Sequence, residues 1–235
     1  MVALAEMRNK ILLHNIRYFA TEQEKLLHEE RLARGMGHAS PYSTLIAAMG
    51  NHWKPGCFEA VKRMAERTWQ EGYQVCFYEE TDRCLNPYDA IGVMRNCAYM
   101  KALREGWEYI LYVDNDVLPE PDTLIKLLKN PVAIQSPIVA YADGQDHGLK
   151  MPALEQGRGL VLVTSCVVSF LLVRTNVFFP WALGGFWQDG IGADEDYQFQ
   201  KFYQAGHLPF VDTNVTMTCV EPPHFPLDEQ SLPNE

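Results

Sequence analysis

Apolar and polar positions along this chain of 235 residues change period several times, and each change predicts an element. Over residues 1–40, apolar side chains recur at helical spacing (Ile11, Leu12, Ile16, Phe19, then Leu26, Leu27 and Leu32), with Glu, Lys and Arg between them. Gly35-Met36-Gly37 ends this stretch, which predicts an α-helical extension that packs on the rest of the chain or on a second copy of it. From Ser43 to Met49 the chain is almost continuously apolar over the length of a buried strand, and the loop Gly50 to Gly56 follows. A helix is expected from about Phe58 to Glu71, closed by Gly72, and then a strand from Gln74 to Tyr78. Asn86-Pro87 breaks the chain, a helix runs from about Tyr88 to Glu105, and Gly106 closes it before the apolar run Tyr109-Ile110-Leu111-Tyr112-Val113. Strand, helix, strand, loop, helix, strand is the order of an α/β domain whose sheet is wound with helices and mainly parallel.

The second half is less regular. A short helix is expected after Pro121, with the proline at its start, where a missing N–H costs nothing. Val132 to Ile138 reads as a strand, and Tyr141 to Gly159 as a long loop of the kind that is usually functional or mobile. Gly159 to Val173 is uncharged and predicts two buried strands or one long one. A Gly-rich loop with aromatic residues, Gly184 to Gly192, leads to Asp194-Glu195-Asp196, which opens a helix that reaches Gln204 and stops at Gly206. Acidic residues in a first helical turn are favoured by the macrodipole alone, so capping explains at least one of the three. A last strand near Phe210 to Thr216 precedes a tail that carries Pro222, Pro223, Pro226 and Pro233 and no basic residue. The expected organisation is a helical extension at 1–40, one domain at 41–220, and a Pro-rich acidic tail at 221–235.

Composition narrows the classes. Hydrophobic residues make up 47% of the chain, enough for a real core. A net charge of −10 disfavours broad nucleic-acid binding, which needs a basic surface. The charge lies outside the extension, where six Lys/Arg nearly balance five Asp/Glu. None of the six cysteines forms a Cys-x-x-Cys pair, so a structural zinc site is not expected. Charged residues within the first ten positions do not fit a secretory leader, and no apolar run is long enough to span a bilayer. Cytoplasmic residence with reduced thiols is the expectation. There is no Gly-x-Gly-x-x-Gly after the first strand, which argues against a Rossmann dinucleotide site or a P-loop.

The strongest chemical signal is where the apolar run 109–113 meets Asp114-Asn115-Asp116. The carboxyl ends of strands in an open α/β sheet are where ligands bind. If the chain stays extended there, residues 114 and 116 lie on one side of it. Two carboxylates so placed suit a hard divalent cation such as Mg2+ or Mn2+. A turn built from Asp and Asn is the alternative.

Four stretches in order then resemble the glycosyltransferases of the GT-A (nucleotide-diphospho-sugar transferase) fold, in particular their inverting family two. They are Ser43 to Met49; Arg95-Asn96-Cys97-Ala98 with the strand that ends at Asp114-Asn115-Asp116; Ser169 to Phe178; and Ala193-Asp194-Glu195-Asp196 through to Ala205-Gly206. The resemblance covers roughly residues 43–220 and implies a metal-dependent transfer, with inversion, of a sugar from a nucleotide-sugar donor to an acceptor hydroxyl. It implies Mn2+ or Mg2+ and a UDP-sugar ahead of a GDP-sugar. It implies Asp116 and Asp114 as metal ligands, with His224 or Cys219 beside them. It implies donor contacts from Ala47, Met49, Glu79, Asp82, Arg95, Asp114 and Asn115, with Glu79, Glu80 and Asp82 as candidates for reading the base. It implies a basic turn at Arg174 beneath the acceptor, and a general base from among Asp194, Glu195 and Asp196. Trp181, Phe186, Trp187 and Tyr197 offer rings on which an acceptor sugar can stack. The acceptor stays open between a glycan, a lipid, a protein and a modified nucleobase. Two other readings are a nucleotidyltransferase of related fold, weakened because the loop after the first strand carries only Lys54, and a non-catalytic sugar- or nucleotide-binding domain, weakened by the intact acidic residues at 114–116 and 194–196.

Overall fold

The computed structural model describes residues 42–49, 52–80, 87–142, 154–177 and 195–220. The expected helical extension at 1–40 and the tail at 221–235 lie outside them. The elements are β1 (Thr44–Met49), α1 (Cys57–Gln70), β2 (Val75–Glu80), α2 (Pro87–Glu105), β3 (Tyr109–Asp114), β4 (Val117–Leu118), α3 (Thr123–Leu128), β5 (Ile134–Tyr141), β6 (Leu160–Leu162), β7 (Phe170–Arg174), α4 (Glu195–Gln204) and β8 (Pro209–Cys219).

The eight strands form one sheet in the order β2-β1-β3-β7-β5-β8-β4, with β6 paired to β8. β2, β1 and β3 are parallel to one another, as are β5 and β8. β7 runs against β3 and β5, and β4 and β6 run against β8. Five strands therefore share one direction and three oppose it, the mixed, mainly parallel sheet that the pattern predicts.

Both faces of the sheet are covered, which is why its central strands read as continuous apolar runs rather than alternating ones. On one face, Leu45, Ile110, Tyr112 and Leu171 pack with residues of α2 and α4, among them Ala98, Tyr99, Phe199 and Phe202. On the other, Ile46, Leu111, Val113 and Leu172 pack with Val61 and Met64 of α1 and Leu124 and Leu127 of α3. Successive residues of β1 and β3 fall in opposite layers, as the pleat requires. Leu111 is fully buried, and truncating it to alanine should cost about 3 kcal/mol.

α1 begins where Gly56 takes the left-handed conformation, φ 82°, and its amphipathic face buries Ala60, Val61 and Met64. Beyond its end Gly72, at φ 91°, reverses the chain into β2.

Several expectations change in detail. Pro121 precedes the N-cap of α3, Asp122, rather than occupying its first turn. The 159–173 run is two strands, β6 and β7, because the turn at 168–169 separates them. β8 reaches Cys219, past the expected Thr216, because its last residues pair with both β5 and β4. β4 is absent from the sequence reading: two residues carry no periodicity, and only their partners on β8 define them. None of the five described cysteines is in a disulfide. Among the described residues no helix is long and apolar enough to cross a membrane.

Candidate metal and nucleotide site

β3 delivers Asp114 to the carboxyl edge of the parallel ladder. Register sets the level: Met49 of β1 lies opposite Asp114 on one side and Glu80 of β2 on the other. The Asp114 N–H donates to the Ser169 carbonyl at 2.9 Å, so the strand is held to its last residue.

The chain then leaves the extended conformation. Asn115 and Asp116 form a turn before β4, so the pleat does not place the two carboxylates together. The turn does, and it is strapped on both sides. On one side, the Lys54 N–H donates to the Asn115 carbonyl at 2.9 Å, and Asn115 Nδ2 donates to the His52 carbonyl at 2.8 Å. On the other, the Val220 N–H donates to the Asp116 carbonyl at 2.9 Å, and Val117 pairs with Cys219. The Asn115 amide nitrogen is thus committed to the loop after β1.

Beneath the turn lies Arg95 of α2, its side chain 3% exposed. Its Nη2 is 3.9 Å from Asp114 Oδ1, too far for a hydrogen bond but close enough for charge attraction. Tyr112 OH donates to the Arg95 carbonyl at 3.4 Å, a contact at the long limit, linking α2 to β3 here. Burial raises the Asp114 carboxyl above the usual carboxylate value, the Arg95 guanidinium pulls it back down, and the neighbouring Asp116 raises it.

Asp116 is engaged unevenly. Its Oδ2 accepts a hydrogen bond from the Cys219 thiol at 3.2 Å. Its Oδ1 is buried with no hydrogen-bond partner. Cys57, at the start of α1, is pushed up to about 11 by burial, with the charge of Asp116 adding to the effect, so it stays a thiol. A buried carboxylate oxygen without a donor is costly unless something positive completes it. Asp116 Oδ1, with Asp114 electrostatically coupled to it, therefore suits a divalent cation. Among the described residues no three His, Cys, Asp or Glu side chains gather into a closed cage. The arrangement is an open one, in which most of an ion's other ligands would come from a bound molecule.

The remaining expected donor contacts divide. Glu79 Oε1 accepts a hydrogen bond from Trp53 Nε1 at 3.0 Å, and the Trp53 ring packs against Phe58 and Phe77. Ala47 and Met49 are buried in the α2-side core, so only their backbone is at the edge. Asp82, Asp194 and His224 lie outside the described residues, as do Trp181, Phe186 and Trp187. Glu195 and Asp196 open α4, and Tyr197 follows in its first turn; for these and for Glu80 it is the backbone that is described. Arg174 lies at the wrong end of the sheet for the expected basic turn. It pairs with Tyr109, five residues down β3 from Asp114 or about 17 Å away, because β7 runs antiparallel to β3.

Two contacts were not read from the sequence: the tie between Trp53 and Glu79, and the thiol of Cys219 on Asp116. A tryptophan in the loop directly after the first strand was the available signal for the first. For the second, the position of Cys219 at the end of the last strand was visible, but its contact required the β4–β8 pairing.

No protein-family profile matches the chain, and no curated protein matches it in sequence. Solved structures do. The catalytic domain of Drosophila beta1,4galactosyltransferase 7, in complex with xylobiose, superposes with a TM-score of 0.50 at 14% identity over 76% of this chain and 71% of that one. GalNAc-T7, solved with UDP, GalNAc and Mn2+, gives 0.49 at 10% identity over 77% of this chain and 43% of that one. A197 from STIV gives 0.46 at 10% identity over 74% of this chain and 84% of that one. The fold is that of GT-A glycosyltransferase catalytic domains.

Proposed function

We propose that this protein is a metal-dependent glycosyltransferase that moves a sugar from a nucleotide-sugar donor to an acceptor hydroxyl, with inversion. The observation that carries this reading is the Asp114–Asp116 turn. It stands at the carboxyl edge of three parallel strands, is braced from both sides, and ends in a buried carboxylate oxygen without a donor. Preorganised charge in a partly desolvated cleft is what transfer from a diphosphate leaving group needs. The fold adds weight, since the galactosyltransferase domain that it resembles was solved in complex with xylobiose.

Asp116 and Asp114 would hold the divalent ion, and Arg95 keeps a fixed positive charge under Asp114. A bound Mn2+ or Mg2+ supplies Lewis-acid neutralisation of the nucleoside diphosphate as it departs. The Lys54–Asn115 and Asn115–His52 contacts fix the loop after β1 against the metal turn, so that donor contacts from both loops stay in register. Glu79 and the Trp53 ring that it orients form the wall at the β2 side, where the base would sit. A carboxylate from 194–196 accepts the acceptor hydroxyl's proton as the oxygen attacks the anomeric carbon. The donor is a UDP-sugar ahead of a GDP-sugar.

Thermal denaturation with nucleoside diphosphates and Mn2+ tests the reading. Wild-type protein is expected to be stabilised by UDP and Mn2+ together more than by either alone, and Asp116→Ala to lose that gain while keeping its circular dichroism spectrum. Equal stabilisation of the two proteins would remove Asp116 from the site. A panel of labelled sugar nucleotides, followed by NMR of the product's anomeric configuration, then identifies the donor and tests inversion. Conversion of Asp194, Glu195 and Asp196 each to its amide should identify one residue whose change abolishes turnover without weakening donor binding.

A further inference from the structure

We infer that the amphipathic segment at residues 11–27 docks on the outer face of α2 in its own chain, the face that carries Cys97 and Met100. The inference is independent of the transferase reading, and it commits the extension to one surface and one copy.

The two long helices differ on their solvent sides. α1 buries Val61 and Met64 and turns Lys62, Arg63, Glu66 and Gln70 outward, as a surface helix does. α2 buries Met94, Ala98, Tyr99 and Ala102 against the sheet, but its outer side is not charged in the same way. From Met94 to Leu103 its exposed residues are Cys97 and Met100, the latter 48% exposed, and Leu103 is half-buried one turn on. Lys101 is drawn aside, over the Tyr78 ring and onto Glu105. A helix that is apolar on both sides is ordinarily covered on both. Trp69 of α1, 61% exposed, stands among Glu66, Gln70 and Glu71 and offers no such run.

The connectivity of the chain supplies the cover. The Tyr42 N–H donates to Glu108 Oε2, and the Glu108 N–H donates to Ser43 Oγ. Glu108 lies just past Glu105, the last residue of α2, so the chain before Tyr42 leaves the domain beside that end of the helix. About fifteen residues then join Leu27 to Tyr42, a reach of up to roughly 50 Å. Wound as the helix that its spacing predicts, the segment spans about 25 Å, and α2 spans about 28 Å, so the one can lie along the other. Ile11, Leu12, Ile16, Phe19, Leu26 and Leu27 fall on one side of that helix and give it an apolar stripe to set on Cys97 and Met100. A tether of this length holds the segment near α2 of its own chain at an effective concentration on the order of millimolar, which favours the same copy over a second one. Because α2 also carries Arg95, the docked segment would clamp the helix that lies beneath Asp114.

The test uses the full chain and N-ethylmaleimide, with the labelled thiols located by mass spectrometry. Cys97 is expected to react at least about tenfold more slowly in wild type than in the double variant Ile16→Asp, Phe19→Asp. Cys57, buried in the α1 core, should react at the same slow rate in both and so report an intact fold. Dilution of wild type by about a hundredfold should leave the Cys97 rate unchanged, as a contact within one chain requires. Met100→Glu gives the reciprocal reading at a side chain that is already exposed: tryptic cleavage after Arg17 and Lys25 should become at least about tenfold faster. That variant decides the matter if the aspartate pair does not fold. Equal Cys97 rates in wild type and a folded aspartate variant, or cleavage unaffected by Met100→Glu, overturns the inference. Protection of wild-type Cys97 that falls on dilution assigns the docked segment to a second copy and overturns the intramolecular contact.

Discussion

At the amino end of β3, Arg174 donates from Nε to the Tyr109 hydroxyl at 3.0 Å, and its Nη2 lies 3.0 Å from Glu108 Oε1. Glu108 Oε2 accepts the Tyr42 N–H at 2.7 Å, and the Tyr42 ring stacks on Tyr109. At the carboxyl end, five residues along the same strand, Arg95 and Asp114 stand 3.9 Å apart, and Asp116 keeps one buried oxygen without a donor. Both ends have an arginine, a carboxylate and a tyrosine of β3. At one end both carboxylate oxygens have a donor within hydrogen-bond distance, and the cluster ties Tyr42 and β7 to the start of β3. At the other, a buried arginine faces two carboxylates, one of which has a buried oxygen with no hydrogen-bond donor. Satisfied polar networks rigidify a fold, and the unsatisfied oxygen in the braced turn is what the proposed metal site would complete. This contrast corrects the expectation that Arg174 serves the acceptor: its partners are structural.

The two ends should therefore respond oppositely to mutation. The largest effect is expected for Asp116→Ala, which should lower transferase turnover by about a hundredfold or more while leaving the midpoint of urea unfolding nearly in place. Next is Arg95→Ala. It removes a buried cation beneath Asp114 and should lower both stability, by about 2 kcal/mol, and the affinity for nucleoside diphosphate. Urea unfolding and calorimetry measure the two losses separately, and loss of stability alone would make Arg95 as structural as Arg174. Glu108→Gln should cost about 1 kcal/mol of stability and leave Mn2+ and UDP binding unchanged, since its partners lie at the opposite edge. A binding defect in that variant would break the distinction between the two ends. The smallest effect is expected for Trp53→Phe. It keeps an aromatic ring but deletes the donor to Glu79 and should weaken nucleotide binding about twofold, as read by calorimetry.

Much of the frame was legible because β1 and β3 are continuous apolar runs, α1 is amphipathic, and Gly50, Gly72, Gly106 and Asn115 stand at the ends of β1, α1, α2 and β3. Asp114 could be placed at a strand end for the same reason. What could not be read was set by partners distant in sequence. β4 is two residues defined by β8, and the contact of Cys219 with Asp116 bridges 103 positions. The assumption that residues 114 and 116 share a side of an extended strand failed locally, since the strand ends at Asp114 and a turn does the gathering. Arg174 was misplaced because apolar periodicity does not reveal strand direction, and antiparallel β7 carries its end to the far edge. Glu79 was legible as a carboxylate at the right level, but not its use in holding Trp53, since that depends on how the loop after β1 folds back over β2.

The central claim is that the Asp114–Asp116 turn binds a divalent ion together with a nucleoside diphosphate. Calorimetric titration of Mn2+ into wild type and Asp116→Asn, each with saturating UDP, tests it most directly. The asparagine keeps the shape of the side chain and removes its charge. One Mn2+ per chain bound by wild type, and at least tenfold weaker binding by the variant, is the predicted result. Equal Mn2+ affinity in the two proteins would contradict the account.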